Sequence, residues 1–239
     1  MDTEKSFTFP FEDEQWPNKL GLGAAFSIVP ILNFAWTGYM VDILRNVMNN
    51  VPAPLPTWDD LDRKFSDGLL LFGAGVVYAL PIVLLLILPL SFTALSSLFP
   101  ENRNLQDLSR VVLETGGALL FGLICMLVLY GLAVSIFYPA IVVMFAREGT
   151  FASCFKLRAA FGMIRNNTAT FFTAWGLSLV AGLGVSLIVG FINLVVGWVP
   201  CLGWIIGLAL SLGSGVYLTA VYAHLFGQFG KVAFEQNQP

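Results

Sequence analysis

The sequence predicts an all-α, polytopic helical membrane protein with four full transmembrane helices. Hydrophobic residues make up 57% of the chain and charged residues only 11%, whereas soluble domains carry about 25% charged residues. The mean hydropathy is +0.79. Three long windows, 68–100, 115–146 and 168–223, contain no Asp, Glu, Lys, Arg or His. A helix needs about 20 apolar residues to cross a bilayer core.

The apolar windows divide into four predicted crossings. The third window is long enough for two helices, and it divides at Gly197–Pro200, because proline cannot continue a helix and tryptophan favours the membrane interface. The predicted transmembrane helices are 68–98, 115–146, 168–197 and 202–229. Together with a broken helix at 20–48 and a short helix at 150–166, they form a single membrane domain, 20–239, preceded by an acidic and aromatic tail, 1–19.

The tail at 1–19 has a period of two rather than the period of a helix. Phe7, Phe9 and Phe11 alternate with Thr8 and Pro10. This alternation is typical of an extended segment that docks on a partner. A disordered tail is the alternative.

Residues 20–48 are apolar enough to enter the membrane, but Pro30 and Asn33 interrupt them. The segment is therefore either one kinked spanning helix or a re-entrant pair of half-helices. Lys and Arg collect in cytoplasmic loops. If the segment re-enters, ten of the twelve Lys and Arg residues lie on one side of the membrane, whereas a crossing segment places only eight there. The distribution favours the re-entrant arrangement, which puts both termini in the cytoplasm.

Residues 150–166 are predicted to form a short interfacial helix between the second and third crossings. Large apolar side chains alternate there with three cations, Lys156, Arg158 and Arg165. The apolar side chains, such as Phe151 and Phe161, suit the headgroup boundary, and the cations suit anionic lipid. A plain cytoplasmic helical turn is the alternative.

The loop before the first crossing contains four carboxylates, Asp59, Asp60, Asp62 and Asp67. Thr57 and Asp60 have the pattern of a helix start, and Asp67 can cap the first crossing. Metal binding is the competing interpretation. Capping and pairing with Arg63 and Lys64 account for the carboxylates without a metal, and their spacing matches no EF-hand loop. We therefore predict no metal site.

Small residues recur at every fourth position of the last crossing, and a second set lines the crossing before it. In lipid, helices associate through close backbone approach and dispersion, which requires small residues at the contact. The predicted helix-packing residues are Gly182, Ser186, Gly190, Gly203, Gly207, Ser211, Gly215, Thr219 and Gly227. We expect the last two crossings to form a tight hairpin along these faces. A repeat of four drifts around the helix and favours a right-handed crossing.

Few polar side chains lie deep in the predicted crossings. A route for ions or substrates usually shows ionisable groups at depth, so the sequence favours packing over permeation. The possible polar site consists of Asn33, Asn193, His224 and Gln228. His224 lies one helical turn from Gln228, and a lone histidine there is expected to be hydrogen-bonded rather than to bind a metal. Asp42 and Arg45, three residues apart, are predicted to form a local ion pair.

Four stretches carry a resemblance to a known family. They are FTFPFEDEQWPNKLGLGA, IVPILNFAWTGYMVDILRNV, LPTWDDLDRKFSDGL and YAHLFGQFGKVA. Their most specific part is the Gly38-Tyr39 pair, Leu55-Pro-x-Trp58-Asp-Asp60 and Gly68. These stretches resemble the prokaryotic membrane proteins catalogued as domain of unknown function 4013. The resemblance implies an integral membrane protein of a bacterium or archaeon with no known activity, so it assigns no catalytic residue.

The sequence predicts a non-enzymatic membrane protein that acts by helix association. It would be an accessory or structural subunit of a larger membrane complex, or a homo-oligomer, in the inner (plasma) membrane of a prokaryote. The expected partners are membrane lipids and other membrane-protein subunits or a second copy, and no nucleic acid, because the basic residues form no stripe. A small-molecule or lipid translocator is the alternative. Paired groups for acid–base or nucleophilic chemistry are missing, so no catalytic residue and no cofactor is expected.

Overall fold

The computed structural model describes residues 1–98, 103–104, 106–107, 110 and 116–235. These residues form α-helices and one short 3₁₀ helix, with no strand among them. The helices are α1 (Thr3–Glu12), α2 (Trp16–Ile28), α3 (Asn33–Met48), α4 (Leu61–Leu98), α5 (Gly116–Glu148), the 3₁₀ helix Phe151–Phe155, α6 (Leu157–Asn166), α7 (Thr168–Val196) and α8 (Leu202–Glu235). Four of them are long and apolar enough to cross a membrane, within Leu61–Leu85, Gly122–Glu148, Thr168–Val196 and Leu202–Glu235.

The four long helices lie close to their predicted positions and differ mainly at their ends. α7 and α8 begin at the predicted residues, and α8 continues to Glu235 rather than ending at 229. α4 begins at Leu61 rather than at 68. The predicted helix start with Thr57 as N-cap is wrong, because residues 57–60 are irregular. The predicted first residue of the second crossing, 115, lies outside the described residues.

The chain divides into two compact units. One comprises Met1–Phe72 and Tyr138–Pro239, and the other comprises Gly73–Phe137. In the second unit the Tyr130 hydroxyl donates a hydrogen bond to the Tyr78 carbonyl over 2.8 Å, which joins α5 to α4. Large apolar side chains on both helices are exposed, as expected for helices that lipid tails surround.

The core of the first unit forms where α3 and the ends of α5 and α8 pack together. Ala140–Ala146 of α5 are all buried. The largest fully buried side chains are Tyr39, Phe9, Phe145, Phe171, Phe226 and Phe229. Glycines on α8 let α3 approach closely, since a Cβ on Gly227 would lie 2.7 Å from the Val47 Cβ and one on Gly230 would lie 2.7 Å from the Met48 Sδ.

α2 and α3 fold back on each other as a helical hairpin. Gly23 of α2 lies against Trp36 of α3, so close that a Cβ on Gly23 would lie 2.5 Å from the indole ring. The chain turns at residues 29–32, around Pro30, where the sequence predicts a break. Ile28 and Ile31 at this turn are exposed, so the apex of the hairpin is apolar.

The backbone itself ends α3 and α5. The Val51 N–H donates to the Asn46 carbonyl over 2.9 Å, and the Asn50 N–H donates to the Val47 carbonyl over 3.1 Å. Asn50 is left-handed, with φ of 57°, which completes a Schellman motif. Gly149 ends α5 with φ of 66° and donates to the Phe145 carbonyl over 2.7 Å. Backbone hydrogen bonds therefore satisfy several of the last carbonyls of both helices.

α7 and α8 form a hairpin with close backbone contact near its turn. A Cβ on Gly203 would collide with the Val196 carbonyl. A Cβ on Gly207 would lie 2.5 Å from the Asn193 Oδ1. The Asn193 side-chain amide also donates to the Ser211 Oγ over 3.3 Å. The two helices are thus joined by close approach and by one side-chain hydrogen bond.

The N-terminal segment is helical, which corrects the expectation of an extended or disordered tail. Asp2 caps α1, because its carboxylate accepts the Lys5 N–H over 3.0 Å. α1 packs against α8, and Phe9 is buried there. The alternation of the phenylalanines did not predict the helix, because the cap and the contact with α8 stabilise it.

The predicted helix at 150–166 divides at Lys156 into the 3₁₀ helix and α6. α6 buries Ala160, Met163 and Ile164 on one face. Phe161 on the other face is 52% exposed. The segment therefore has a packed face and an exposed face that carries both apolar and basic side chains.

α3 and α4 cross with their backbones in direct contact. A Cβ on Gly38 would overlap the Lys64 carbonyl, and a Cβ on Gly68 would overlap the Phe34 carbonyl. Small residues allow this approach in membrane helices. Each helix therefore contributes a glycine at the point where it meets the main chain of the other.

We expect Gly68→Ala to destabilise the protein strongly, because backbone atoms cannot move aside as a flexible side chain can. Gly75→Ala on the same helix is the matched control, since no atom of the part of the chain that the structure describes lies within 4 Å of a Cβ there. The control should be neutral or should stabilise the helix by up to about 1 kcal/mol. The measurement is the midpoint of thermal unfolding in detergent, and equal midpoints for the two variants would contradict the crossing.

Candidate functional site

Five charged side chains meet where α3 crosses the start of α4, and we call them the charge cluster: Asp42, Arg45, Arg63, Lys64 and Asp67. The Asp42 Oδ2 lies 3.0 Å from the Arg63 Nη2 and 3.3 Å from the Lys64 Nζ. The Asp42 Oδ1 lies 3.2 Å from the Arg45 Nη1. The same Arg45 nitrogen lies 2.5 Å from the Asp67 Oδ2. One arginine thus bridges the two carboxylates.

Three side chains of the charge cluster are buried, Arg63 is exposed, and the cluster is tied to the backbone of two further segments. Asp42, Lys64 and Asp67 are only 4%, 2% and 7% exposed. The Arg45 Nε donates to the Ala146 carbonyl of α5 over 2.8 Å. The Lys64 Nζ donates to the Asp59 carbonyl over 2.5 Å. The cluster therefore joins α3, α4, α5 and the loop before α4.

Pairing within the charge cluster offsets the loss of hydration that burial imposes. Moving a charge out of water is unfavourable, and opposite charges with additional hydrogen bonds compensate for it. Each carboxylate of the cluster contacts at least one cation, so neither is left without an opposite charge. This arrangement fixes three helices relative to one another.

An aromatic clamp holds the loop before α4 beside the charge cluster. The Trp58 ring stacks on Tyr39 with centroids 4.4 Å apart and meets Phe26 edge-on at 4.8 Å. Its indole N–H donates to the Lys19 carbonyl over 2.9 Å. The Tyr39 hydroxyl donates to the Pro56 carbonyl over 2.9 Å. Trp58 is therefore fixed by rings on both helices of the α2–α3 hairpin.

An ion pair at the start of α2 supports the same loop. The Lys19 Nζ lies 2.6 Å from the Asp13 Oδ2 and donates to the Leu55 carbonyl over 3.2 Å. Burial by itself would raise the pKa of the Asp13 carboxyl. The hydrogen bonds from Lys19 and from the Gln15 N–H, with the charge of Lys19, outweigh burial and hold that pKa below its ordinary value.

A second polar group forms between α1 and α8 and contains two of the predicted polar residues. The His224 Nδ1 lies 2.9 Å from the Ser6 Oγ, and the Phe9 ring stacks on the imidazole at 4.5 Å. The Gln228 Oε1 accepts the Asp2 N–H over 2.6 Å, and the Gln228 amide donates to the Asp2 carbonyl over 2.9 Å. His224 is thus a buried, hydrogen-bonded residue that fastens α1 to α8.

The other two predicted polar residues lie elsewhere. Asn33 is exposed at the start of α3. Asn193 lies on α7, and its Oδ1 is buried without a hydrogen-bond partner in the part of the chain that the structure describes. None of the hydrogen bonds between described residues joins either asparagine to His224. The four residues therefore do not form one site.

The predicted helix-packing residues face several different surroundings. Gly203, Gly207 and Ser211 face α7, whereas Gly227 faces α3. Ser186 is exposed, and the Thr219 hydroxyl donates to the Gly215 carbonyl of its own helix. A Cβ on Gly182, Gly190 or Gly215 would meet no atom of the described residues within 4 Å. The small-residue row of α8 thus winds from one neighbouring helix to another, and part of the glycine surface stays open.

Comparison with known proteins identifies the family. The model of a family described as "Protein of unknown function (DUF4013)" matches residues 22–194. The chain belongs to this family. No curated protein and no solved structure matches the chain. The matched part of this DUF4013 protein contains the whole charge cluster and the aromatic clamp.

The sequence predicted part of the charge cluster of this DUF4013 protein and missed the rest. The predicted ion pair between Asp42 and Arg45 is present. The prediction that Asp67 caps the first crossing is wrong, because Asp67 lies inside α4 and binds Arg45 instead. A usable signal existed, since α3 and the start of α4 each carry opposite charges three residues apart. The charges on α3 and α4 pair with one another because the two helices cross there, and the sequence does not show that crossing.

We expect Asp42→Asn to destabilise the DUF4013 protein by about 3–5 kcal/mol, because it leaves the buried Lys64 ammonium without its carboxylate. The control is Glu148→Gln, which removes an ion pair with Lys156 in which both side chains are partly exposed. Exposed pairs contribute about 0–1 kcal/mol. Thermal unfolding of both variants in the same detergent measures the difference. If the two variants lose similar amounts of stability, burial of the cluster does not govern what it contributes to the stability of the fold.

Proposed function

We propose that this DUF4013 protein is a multi-pass protein of a prokaryotic plasma membrane that works by helix association, as a subunit of a larger membrane complex or as a homo-oligomer. The observation that carries the proposal is the set of open glycines on the α7–α8 hairpin. Gly182, Gly190 and Gly215 have nothing within 4 Å of a Cβ position among the described residues.

A glycine on a lipid-facing helix leaves a groove into which another helix can pack. Lipid tails are as apolar as leucine, so helix contacts in a bilayer depend on such close approach. The hairpin uses Gly203 and Gly207 for its own internal contact. The grooves at Gly182 and Gly190 remain, and exposed side chains such as Leu183 and Leu187 flank them. A helix from a second copy or another subunit fits this surface.

The contact between α1 and α8 supports a topology with both termini on one side of the membrane. Asp2 is hydrogen-bonded to Gln228, close to the end of α8. α2 and α3 have 13 and 16 residues, fewer than the roughly 20 that a crossing needs. Their apolar apex suits a hairpin that enters the bilayer and returns. We place both termini in the cytoplasm because most Lys and Arg residues then lie there.

α6 suits the membrane interface on the cytoplasmic side. Its exposed face combines Leu157 and Phe161 with Arg158 and Arg165. Apolar side chains at the headgroup boundary and cations near anionic lipid are typical of interfacial helices. This helix would hold the connection between α5 and α7 at the membrane surface.

We expect the double variant Gly182→Leu and Gly190→Leu to lose association while it keeps the fold of the monomer, because a Cβ at either position meets no atom of the described residues within 4 Å. Gly184→Leu is the matched control, since Gly184 is also open but lies about 200° around the helix from Gly182. Chemical crosslinking in native membranes, followed by native mass spectrometry in mild detergent, measures the assembly.

Two results would contradict the proposal. One is a wild-type protein that stays a monomer without partners in both measurements. The other is a double variant that assembles as well as the Gly184→Leu control. Ion, small-molecule and lipid-scrambling assays in proteoliposomes test the translocator alternative, and we expect no flux above that of protein-free vesicles.

We expect a membrane-impermeant maleimide to label Cys201 from outside intact cells. Cys201 lies exposed in the turn between α7 and α8, which faces outward in the proposed topology. Burial raises the pKa of the Cys154 thiol to about 11, so only about one thiol in 10⁴ is ionised there at pH 7. Cys201→Ser should abolish the signal, because the third cysteine, Cys125, lies within the candidate membrane span of α5, which the charged reagent does not enter. Labelling of Cys201 only after the cells are opened would reverse the proposed orientation.

A further inference from the structure

A polar pocket lies where the C-terminal ends of α3, α5 and α8 meet. Its volume is about 680 Å³. Its polar lining comes from Arg45, Asn49, Asn50, Arg147, Lys231 and Glu235. Three cations thus line the pocket with a single carboxylate.

The cations keep hydrogen-bond donors free for the pocket. Arg45 uses its Nε and Nη1 for Ala146 and the charge cluster, and its Nη2 has no hydrogen-bond partner among the described residues. The Arg147 guanidinium lies over the Phe234 ring, 3.9 Å from its centroid. It forms no ion pair with any described residue. The Lys231 Nζ lies 3.8 Å from the Glu235 Oε1, which is longer than a hydrogen bond.

Cations often stand at helix C-termini to compensate the helix dipole. That need is reduced at the ends of α3 and α5, because other groups already satisfy several of their last carbonyls. The carbonyls of Arg45, Asn46 and Val47 accept backbone N–H groups, and so does that of Phe145. Stacking on Phe234 also holds the Arg147 guanidinium in place, which dipole compensation does not require. The free donors are therefore available to a ligand.

We propose that this pocket binds a phosphate group, carried either by an anionic lipid head group or by a free phosphate. Guanidinium groups donate paired N–H bonds that match phosphate oxygens, and an ammonium adds a point charge. Basic pockets at the cytoplasmic ends of membrane helices bind anionic head groups in this way. Asn49 and Asn50 add polar groups at the rim.

The test compares the wild-type chain with the double variant Arg147→Gln and Lys231→Gln, in which two pocket cations are neutralised and Arg45 is kept. Arg103→Gln with Arg110→Gln is the matched control, because it removes the same charge from two exposed positions that the proposed topology places on the opposite side of the membrane. One arm titrates inorganic phosphate into detergent-purified protein by calorimetry at constant ionic strength. The other arm counts retained phosphatidylglycerol by native mass spectrometry after reconstitution in equal parts phosphatidylglycerol and phosphatidylcholine.

We expect the pocket variant to weaken binding at least about tenfold in one arm, while the Arg103/Arg110 control stays within about twofold of wild type. Loss in the phosphate arm identifies a free anion, and loss confined to the lipid arm identifies a head group. Arg147→Lys keeps the charge but loses the paired N–H donors of the guanidinium. Its binding of the probe should therefore be weaker than that of wild type and stronger than that of the double variant. The proposal is overturned if wild type binds neither probe saturably, or if the pocket variant and the Arg103/Arg110 control weaken binding equally. Circular dichroism and unfolding midpoints verify that each variant is folded.

Discussion

The direct contact between the backbones of α3 and α4 is the constraint on which the rest of the first unit depends. Gly38 and Gly68 each face a carbonyl of the other helix, so any larger side chain would separate the two helices. The charge cluster forms across this crossing, and its charges are stable in a buried place only at salt-bridge distance. Tyr39, next to Gly38, also needs this spacing to stack on Trp58. Close approach, charge pairing and the aromatic clamp are therefore one coupled arrangement.

The two ends of α8 are held by different kinds of interaction. Its C-terminal half packs against α3 and α1 with buried aromatic side chains and hydrogen bonds, including the one between His224 and Ser6. Its N-terminal half meets α7 through Gly203, Gly207 and the Asn193–Ser211 hydrogen bond. Membrane helix hydrogen bonds contribute about 0.6 kcal/mol on average, so this half depends mainly on dispersion at close contact. The open glycines lie on the less constrained part of the hairpin.

The sequence predicted the elements well because their signals are local. Windows without charge marked the four long helices, and Pro30 and Pro200 marked two of the turns. The partners that complete the sites are distant in sequence and left no such signal. Ser6 and His224 are separated by 218 positions, and Arg45 and Ala146 by 101. The helix α1 was missed for the same reason, since its phenylalanines alternate locally and only the contact with α8 shows which one is buried.

The residues that carried the family resemblance prove to be structural neighbours. Tyr39, Trp58 and Gly68 come from α3, the loop and α4, and they meet around the same crossing. The family match begins inside α2 and ends inside α7, so α1 and α8 lie outside it. These two helices bind each other through Asp2 and Gln228, and α8 also packs on α3. The matched segment thus supplies the crossing and its charges, whereas the flanking helices complete the core and provide Lys231 to the pocket. A change in α8 can therefore alter the pocket while the crossing of α3 and α4 stays intact.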